Sequence, residues 1–484
     1  MTRYRGSDTV VSMTVREAIR RAPVSCAPDT PLRTVLRLMH EQGIGSMIVA
    51  DGNAVPLGIF TIQDVLSRVA LVGGALDAPI STVMTTGVFA LDPEAGAYEA
   101  TLAMAARGIH HVVVVEDGKL LGVVSERDLL VPAESSPRVV SDGIRRARDG
   151  EQLQRSAGEI RRLAQRMLQA GTGAAQVTRT LSTLNDVLSR RVIELEFEAA
   201  APVGARWCWI SMGSEGRFEQ TFSSDQDNGI VFAAGEGEAD AIRGLLLPVA
   251  ERINRRLDEC GFELCRGKIM ASSPECCLSV AEWKARFASW IDRTEPAALL
   301  NVTIFFDFRA LAGEAELARE LRAWLAGVVV DDRRFLVQLT RNALDNQPPL
   351  GLVRDFVFAP GADHKLDLKV NGVTPFVDAG RIFALATGLT DTNTLQRLRG
   401  AGERLGIEAA EIAAWEDAYQ FIQVLRLREQ DRQLVEGRPP GNLVDPDHLN
   451  DLDRRILKES MRQARKLQDR MAHNRKTGST EFGM

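Results

Sequence analysis

The sequence predicts an α+β protein of several domains. Three observations point to this: a stretch of about sixty residues that occurs twice near the N-terminus, a strand, glycine turn and strand near the middle that carry paired aspartates, and a final third with helical periodicity. A chain of 484 residues exceeds what one hydrophobic core ordinarily organises, so two to four domains are expected. Hydrophobic residues at 45% and charged residues at 26% are the balance of a folded globular chain. The 59 basic and 65 acidic residues leave a net charge of -6, which argues against nucleic acid or anionic lipid as a partner. No stretch approaches the ~18 apolar residues of a membrane span, and residues 1–5 lead into no apolar h-region, so a cytoplasmic protein is expected. The cysteines, Cys26, Cys208, Cys260, Cys265, Cys276 and Cys277, form no CxxC pair and have no histidine at zinc-ligand spacing; they read as reduced thiols.

The repeat covers residues 8–132, with copies at about 11–70 and 76–131. In the first copy, Asp29-Thr30-Pro31 opens a helix with Leu32, Val35, Leu36 and Met39 on one stripe, and Gly43 stops it. Two strands follow, Met47 to Val49 and Leu57 to Phe60, joined by the turn Asp51-Gly52-Asn53 and ending in Thr61-Ile62-Gln63-Asp64. The second copy repeats the order with Leu102 to Ala106, Val112 to Val115, Asp117-Gly118 and Gly122 to Asp128, giving β-α-β-β-α twice. The pattern resembles the CBS domain, whose hallmark is a glycine, two apolar residues, Thr or Ser, two variable residues and Asp. That resemblance implies a disc with clefts for an adenine nucleotide (AMP, ADP or ATP), contacted by Thr61 and Asp64 and by Ser125 and Asp128, and a homodimer formed through these domains. The same residues also read as helix caps, each Asp at N3 completing a capping box. His110-His111, just before a strand, reads as a solvated strand start.

The Pro/Ser stretch after Leu130 marks a boundary, and residues 138–200 have the period of a helical connector, with Ile160, Leu163 and Met167, then Val177, Leu181, Leu184, Leu188 and Leu195. Residues 201–330 carry the chemistry. An apolar strand, Trp207 to Ser211, runs into Gly213-Ser214, a small-residue turn that admits phosphate oxygens. Asp225 follows Ser214 by eleven positions and Asp227 lies two further on, so both carboxylates project from one face of an extended segment and can share a divalent cation. Phosphoryl transfer needs such charge neutralisation and in-line positioning.

The segment resembles the nucleotidyltransferase superfamily that contains DNA polymerase β, and more closely the PII uridylyltransferases and glutamine synthetase adenylyltransferases: Gly213, Ser214, Gly216, Arg217, Glu219, Ser224, Asp225 and Asp227 fit their signature. Gln226 and Asn228 stand where that family commonly has apolar residues. The resemblance implies a polymerase β-like core with a mixed sheet, Mg2+ or Mn2+ on Asp225, Asp227 and a third carboxylate, an NTP substrate, and phosphate contacts from Gly213, Ser214, Arg217 and Ser224. The third carboxylate is assigned to Asp307, in the β-branched and aromatic run Asn301 to Arg309 that reads as a buried strand; the alternative there is an Asp307 to Arg309 surface pair. Arg217 either touches triphosphate or pairs with Glu219 or Asp225, and Lys268 is a weaker phosphate candidate.

Residues 331–472 read as a helical bundle, with Phe335, Leu336 and Leu339, then Ile382, Phe383 and Leu385, then Trp415, Tyr419 and Leu425; His364, Lys365 and Lys369 border a loop, and 473–484 reads as a flexible tail. The whole chain resembles a bacterial family of signal-transduction proteins that joins a CBS pair, a nucleotidyltransferase domain and a helical substrate-binding domain. The function this implies is transfer of NMP from NTP to an acceptor hydroxyl, on a protein such as a PII-like regulator, under control of the CBS ligand. The alternative is a catalytically weak nucleotide-binding module that acts through protein partners.

Overall fold

Residues 14–19, 21–72, 75–126, 128–129, 136–200, 203–293, 295–351, 356–358 and 364–477 are described by the structure, a computed structural model. Each copy of the repeat lays a helix over a small sheet, and in the first copy a second helical segment over residues 62–70, the expected closing helix, adds Val69 to the core. In the first, β1 (Ser25–Cys26) is parallel to β2 (Ser46–Ala50), β2 is antiparallel to β3 (Pro56–Thr61), and β4 (Thr85–Thr86) closes the edge. Helix α1 (Leu32–Glu41) buries Leu32, Val35 and Met39 against Met47, Val49 and Phe60, the stripe its spacing predicts. The second copy places α2 (Ala97–Arg107) on β5 (Ala90–Leu91), β6 (His111–Glu116) and β7 (Lys119–Ser125), burying Ala97, Ala100 and Met104 against Val112, Val114 and Val124. Gly108 ends α2 in the left-handed conformation, φ +67°, which glycine adopts without strain.

The expected last helix of the second copy and the Pro/Ser stretch fall mainly on residues outside those described. Helix α3 (Pro137–Arg146) begins two residues after them, and its first turns stay with the repeat: Ser141 Oγ donates to the Ala105 carbonyl at 2.7 Å and Arg138 Nη1 to that of Ile109 at 3.1 Å. The first compact unit accordingly comprises residues 1–143 and the second 144–484.

In the second unit α4 (Gly150–Gln169) and α5 (Ala174–Glu198) precede a four-stranded mixed sheet of order β10-β9-β8-β11, formed by β8 (Trp207–Ser211), β9 (Asn228–Phe232), β10 (Cys277–Ser279) and β11 (Arg309–Gly313). β9 pairs antiparallel with β8 and parallel with β10, and β11 pairs antiparallel with β8. Helices α6 (Ala239–Glu259), α7 (Val280–Arg293), α8 (Pro296–Phe305) and α9 (Ala315–Val329) belong to this region. The strand expected over 301–309 is not formed. Pro296 starts helix α8 instead, and Leu299, Val302, Phe305 and Phe306 bury at helical spacing while Leu300 is exposed. An almost wholly apolar run suits either conformation, and its burial at helical spacing decided the outcome.

Helices α10 (Arg333–Ala343), α11 (Thr374–Thr387), α12 (Thr394–Arg404), α13 (Ala409–Val435) and α14 (Asp451–Thr477) make the C-terminal bundle, with a two-stranded ladder of β12 (Leu366–Asp367) and β13 (Leu443–Val444) at its side. One continuous apolar core runs from Cys208 and Ile210 in the sheet through Phe306 and Phe376 to Trp415 and Leu467. The last helix continues to Thr477, past the start expected for a flexible tail, and 478–484 lie outside the described residues.

Candidate functional site

β8 delivers the chain through Met212 into a single helical turn, Gly213–Gly216, and β9 returns with Asn228 opposite Ser211. This pairing sets Asp227 against the turn. The Met212 N–H donates to the Asp227 carbonyl at 2.8 Å, and a Cβ on Gly213 would lie 2.6 Å from Asp227 Oδ2. Gly213 also has φ +55°, so glycine is required there both for conformation and for space. The first amides of the turn have no carbonyl partner within it, and Ser214, half-buried, sits at its second position.

Asp225 and Asp227 are half-buried while Gln226 between them is buried, the alternation that puts both carboxylates on one face. Gln226 turns the other way. Its Nε2 donates to the carbonyls of Asn254 (2.9 Å) and Phe262 (2.8 Å), and its Oε1 accepts from Asn254 Nδ2 (2.7 Å). The same Asn254 amide reaches Asn228 Oδ1 at 3.0 Å, which also accepts the Ala271 N–H at 2.8 Å. The two polar residues that depart from the superfamily pattern thus form a satisfied buried network that fixes the aspartate strand.

Asp225, Asp227 and Cys265 each offer one ligand atom within 4.8 Å of the others. Burial first, then the charge of Asp225, pushes the Asp227 carboxyl up to about 7, against the opposing pull of Lys369, Cys265 and Arg217. Crowded carboxylates whose repulsion drives one toward neutrality, with a thiol at the same spacing, are a donor set that a divalent cation would relieve. Cys265, read from sequence as an ordinary thiol, therefore belongs to this cluster, brought in by a parallel bridge between Asp225 and Glu263. Lys369, exposed in the wide helical turn Leu368–Val373 that follows β12, is the cation whose charge reaches Asp227 most strongly. Ser224 Oγ accepts the Thr221 N–H at 3.0 Å and donates to the Thr221 carbonyl at 3.2 Å, closing the turn that leads into Asp225. Lys268 occupies an exposed turn at φ +56°; His364 is exposed, its ring 4.9 Å from that of Phe358, and Lys365 is exposed beside it.

Two expected site residues have other work. Asp307 is fully buried and accepts from three guanidinium groups: Arg217 Nη1 (2.8 Å) and Arg381 Nη2 (2.7 Å) at Oδ2, and Arg397 Nη1 (2.6 Å) at Oδ1. Burial alone would raise its pKa, but Arg381, Arg397 and Arg217 outweigh that and hold the carboxyl far below the usual carboxylate range. Asp307 is therefore the centre of an ion cluster, and the assignment as third metal ligand is corrected. Arg217 is likewise engaged, its Nε with Glu219 (2.8 Å) and its Nη1 with Asp307, so the pairing with Glu219 that the sequence allowed is formed. Arg381 and Arg397 lie on α11 and α12, too far along the chain for any local spacing to announce them.

In the first unit Thr61 and Asp64 close a reciprocal capping box: Thr61 N–H and Oγ1 donate to Asp64 Oδ2 at 2.9 and 2.8 Å, and the Asp64 N–H returns to Thr61 Oγ1. Ser125 makes the same two bonds to Asp128 Oδ2, at 2.8 and 2.5 Å. Ser125 and Asp128 line a solvent-open cleft of about 560 Å³ together with Arg21, Ile44, Gly45, Ser46 and His111; Thr61 and Asp64 are not among its walls. Arg138 joins this region from α3, its Nη2 2.6 Å from His110 Nε2 and its Nε 3.2 Å from Glu126.

Among the described residues, no helix is long and apolar enough to cross a membrane. Residues 15–71 and 80–131 match the CBS domain family, 158–297 the family described as "Putative nucleotidyltransferase DUF294", and 333–474 the family described as "Putative nucleotidyltransferase substrate binding domain". An uncharacterized protein of Methanopyrus kandleri is 31% identical over 121 residues, 25% of this chain; the match spans 62% of that relative, less than two thirds of its length. The A-adding tRNA nucleotidyltransferase of Aquifex aeolicus is 28% identical over 120 residues, 25% of this chain and 14% of that protein. Among solved structures, a CBS domain protein of Pyrobaculum aerophilum complexed with AMP is similar at 26% identity and a TM-score of 0.24, covering 25% of this chain and 93% of its own. The chain belongs, domain by domain, to the family that joins a CBS pair to the DUF294 nucleotidyltransferase and its substrate-binding domain.

Proposed function

We propose that the protein is a metal-dependent nucleotidyltransferase that moves NMP from an NTP to an acceptor hydroxyl, with a PII-like regulatory protein as the acceptor class, and that adenine nucleotide in the CBS pair regulates it. The observation that carries the reading is the placing of Asp225 and Asp227 on one face, with Gly213 packed against Asp227 and Lys369 opposite. Through their carboxylate oxygens, Asp225 and Asp227 would hold Mg2+ or Mn2+, which would neutralise charge developing on the α-phosphate and pyrophosphate. The acceptor hydroxyl gives up its proton to solvent, its oxygen bonds to the α-phosphorus, the bond to the bridging oxygen breaks, and pyrophosphate leaves with the electron pair. Gly213 and Ser214 admit phosphate oxygens where a side chain would block them, and Lys369 meets the remaining negative charge.

For regulation, the support is the cleft at Ser125 and Asp128. Its mixture of Arg21, hydroxyls and a carboxylate suits a nucleotide with ribose hydroxyls and phosphate. Homodimerisation through the CBS pair is part of the same proposal, and the exposed apolar side chains of Ile62 and Leu66, one helical turn apart, are a surface a second copy would cover.

The test is incubation with labelled NTPs and Mg2+, using the wild type and the Asp225→Ala, Asp227→Ala double variant, in a lysate that contains acceptor. Label transfer that the double variant abolishes is the expected result. Absence of both transfer and metal-dependent NTP turnover in the wild type overturns the proposal in favour of a nucleotide-binding module.

A further inference from the structure

We propose that Asp186 and Arg309 are a positioning pair that holds the Gly213–Gly216 turn in register with Asp227, so that α5 sets how tightly the site binds nucleotide; the proposal rests on the nucleotidyltransferase reading above. Asp186 lies on α5 and is 3% exposed. Its two oxygens take Arg309 in a bidentate pair, Nη2 to Oδ1 at 2.6 Å and Nη1 to Oδ2 at 2.7 Å. Arg309 opens β11 directly opposite Ser211, where the chain leaves the sheet for the turn. From there its Nε and Nη2 donate to the carbonyl of Glu215, the residue after Ser214, at 3.2 and 2.9 Å.

The grip extends along the segment that joins the turn to Asp225. The Arg309 guanidinium lies 3.7 Å from the centroid of the Phe218 ring, and Arg179 of α5 lies 4.4 Å from the same centroid. Phe218 itself has φ +58°, a strained conformation for an aromatic residue that these contacts hold in place. Two residues on, the Gln220 N–H donates to Ser182 Oγ at 3.1 Å and Gln220 Oε1 accepts from Asn185 Nδ2 at 3.1 Å, both again on α5. A buried Asp–Arg pair contributes little net stability compared with apolar residues of the same volume. What this pair does provide is orientation, because Arg309 Nε and the second hydrogen of Nη2 are both aimed at one carbonyl of the turn. If the turn drifts, Gly213 no longer sits against Asp227, and a displacement of order 1 Å at a reacting site lowers its rate by roughly a hundredfold.

The experiment uses the full-length protein as wild type, Asp186→Asn, Asp186→Glu and Arg309→Lys. Equilibrium dialysis with labelled ATP or UTP and Mg2+ reads affinity, and hydrogen exchange reads the peptide covering residues 213–220. Both Asp186→Asn and Arg309→Lys are expected to keep the native circular dichroism, to speed exchange in that peptide, and to weaken NTP binding several-fold. Asp186→Glu, which keeps the carboxylate, recovers part of the loss. A folded Asp186→Asn protein that binds NTP as tightly as the wild type, or whose 213–220 peptide exchanges no faster, overturns the assignment while leaving the nucleotidyltransferase reading standing. A wild type that binds neither nucleotide overturns both.

Discussion

Replacing Asp307 by Asn tests the division of labour between the two acidic centres. Asp307, Glu219 and Asp378 face Arg217, Arg381 and Arg397, three carboxylates against three guanidinium groups. Without the Asp307 charge, Arg217 keeps Glu219 at 2.8 Å and Arg381 keeps Asp378 at 2.7 Å. Arg397 loses its carboxylate and keeps the Asp391 carbonyl through Nε, at 2.6 Å, with its side chain 3% exposed. Breaking a buried pair so that one charge is stranded costs about 3–5 kcal/mol, and Arg397 puts this variant toward the upper part of that range. For a unit of this size such a loss lowers the melting midpoint by roughly 5–10 °C. The folded carboxyl titrates far below its unfolded value of about 4, so this stabilisation is complete at neutral pH and is lost only as the pH falls through the folded pKa. All six tryptophans lie between 207 and 415, so urea unfolding followed by tryptophan fluorescence reports the second unit alone. Asp225→Asn should behave oppositely, leaving the midpoint in place or raising it while Mn2+ binding is lost. If Asp307→Asn shifts the unfolding free energy by less than about 1 kcal/mol and abolishes Mn2+ binding instead, the ion-cluster assignment fails.

Four further outcomes follow from the same geometry. Gly213→Ala puts a methyl where Asp227 Oδ2 lies and forces φ +55° on a residue with a side chain, at a cost of about 1–2 kcal/mol; Mn2+ titration by electron paramagnetic resonance should show a larger loss of binding than calorimetry shows of stability. Gln226→Leu restores an apolar residue of the family type yet strands the Asn254 amide and two carbonyls, so it should destabilise by about 1–3 kcal/mol in urea. Lys369→Ala should weaken NTP binding several-fold in dialysis, with the unfolding midpoint unchanged because the side chain is exposed. Burial, with Arg138 beside His110 and His110 beside His111, holds both imidazoles below their usual value of about 6.5, so the first unit should lose stability as the pH falls from about 7 toward 5. Hydrogen exchange over residues 14–129 should show that loss, and His110→Gln with His111→Gln should flatten it.

What could be read in advance was what short spacing encodes. The repeat strands, the α1 stripe and the turn at Gly213 with Asp225 and Asp227 each depend on residues a few positions apart, and each appears at its expected place. Asp307 shows the limit of that reasoning. A lone aspartate in an apolar run does demand compensation, but whether a metal or arginine supplies it depends on Arg381 and Arg397, which only tertiary packing brings near. The 301–309 run failed for a related reason, since a segment apolar on all sides carries no period to separate helix from strand. Cys265 was invisible because the aspartates it meets lie about forty positions away in the chain.

The same cluster bears on how the core and the substrate-binding bundle work together. The charge of Lys369 acts on Asp227 from a helical turn that the bundle itself holds: β12 pairs with β13, Asp367 Oδ1 caps the N–H groups of Lys369 and Val370, and the carbonyl of Asn442, a residue gripped by Arg426, accepts the Leu368 N–H at 3.0 Å. Asp307, two residues past the end of α8 and outside the bundle, is meanwhile neutralised by two arginines of α11 and α12. The bundle thus supplies a cation to the site and two to the foundation beneath it, and the core supplies the carboxylates that meet them. A chain ending near residue 330 would keep Asp225 and Asp227 but leave Asp307 buried against Arg217 alone, or exposed with the apolar face around Phe306. The sheet, the aspartate pair and the bundle are on this reasoning one folding unit, and the catalytic reading applies to all of it or to none.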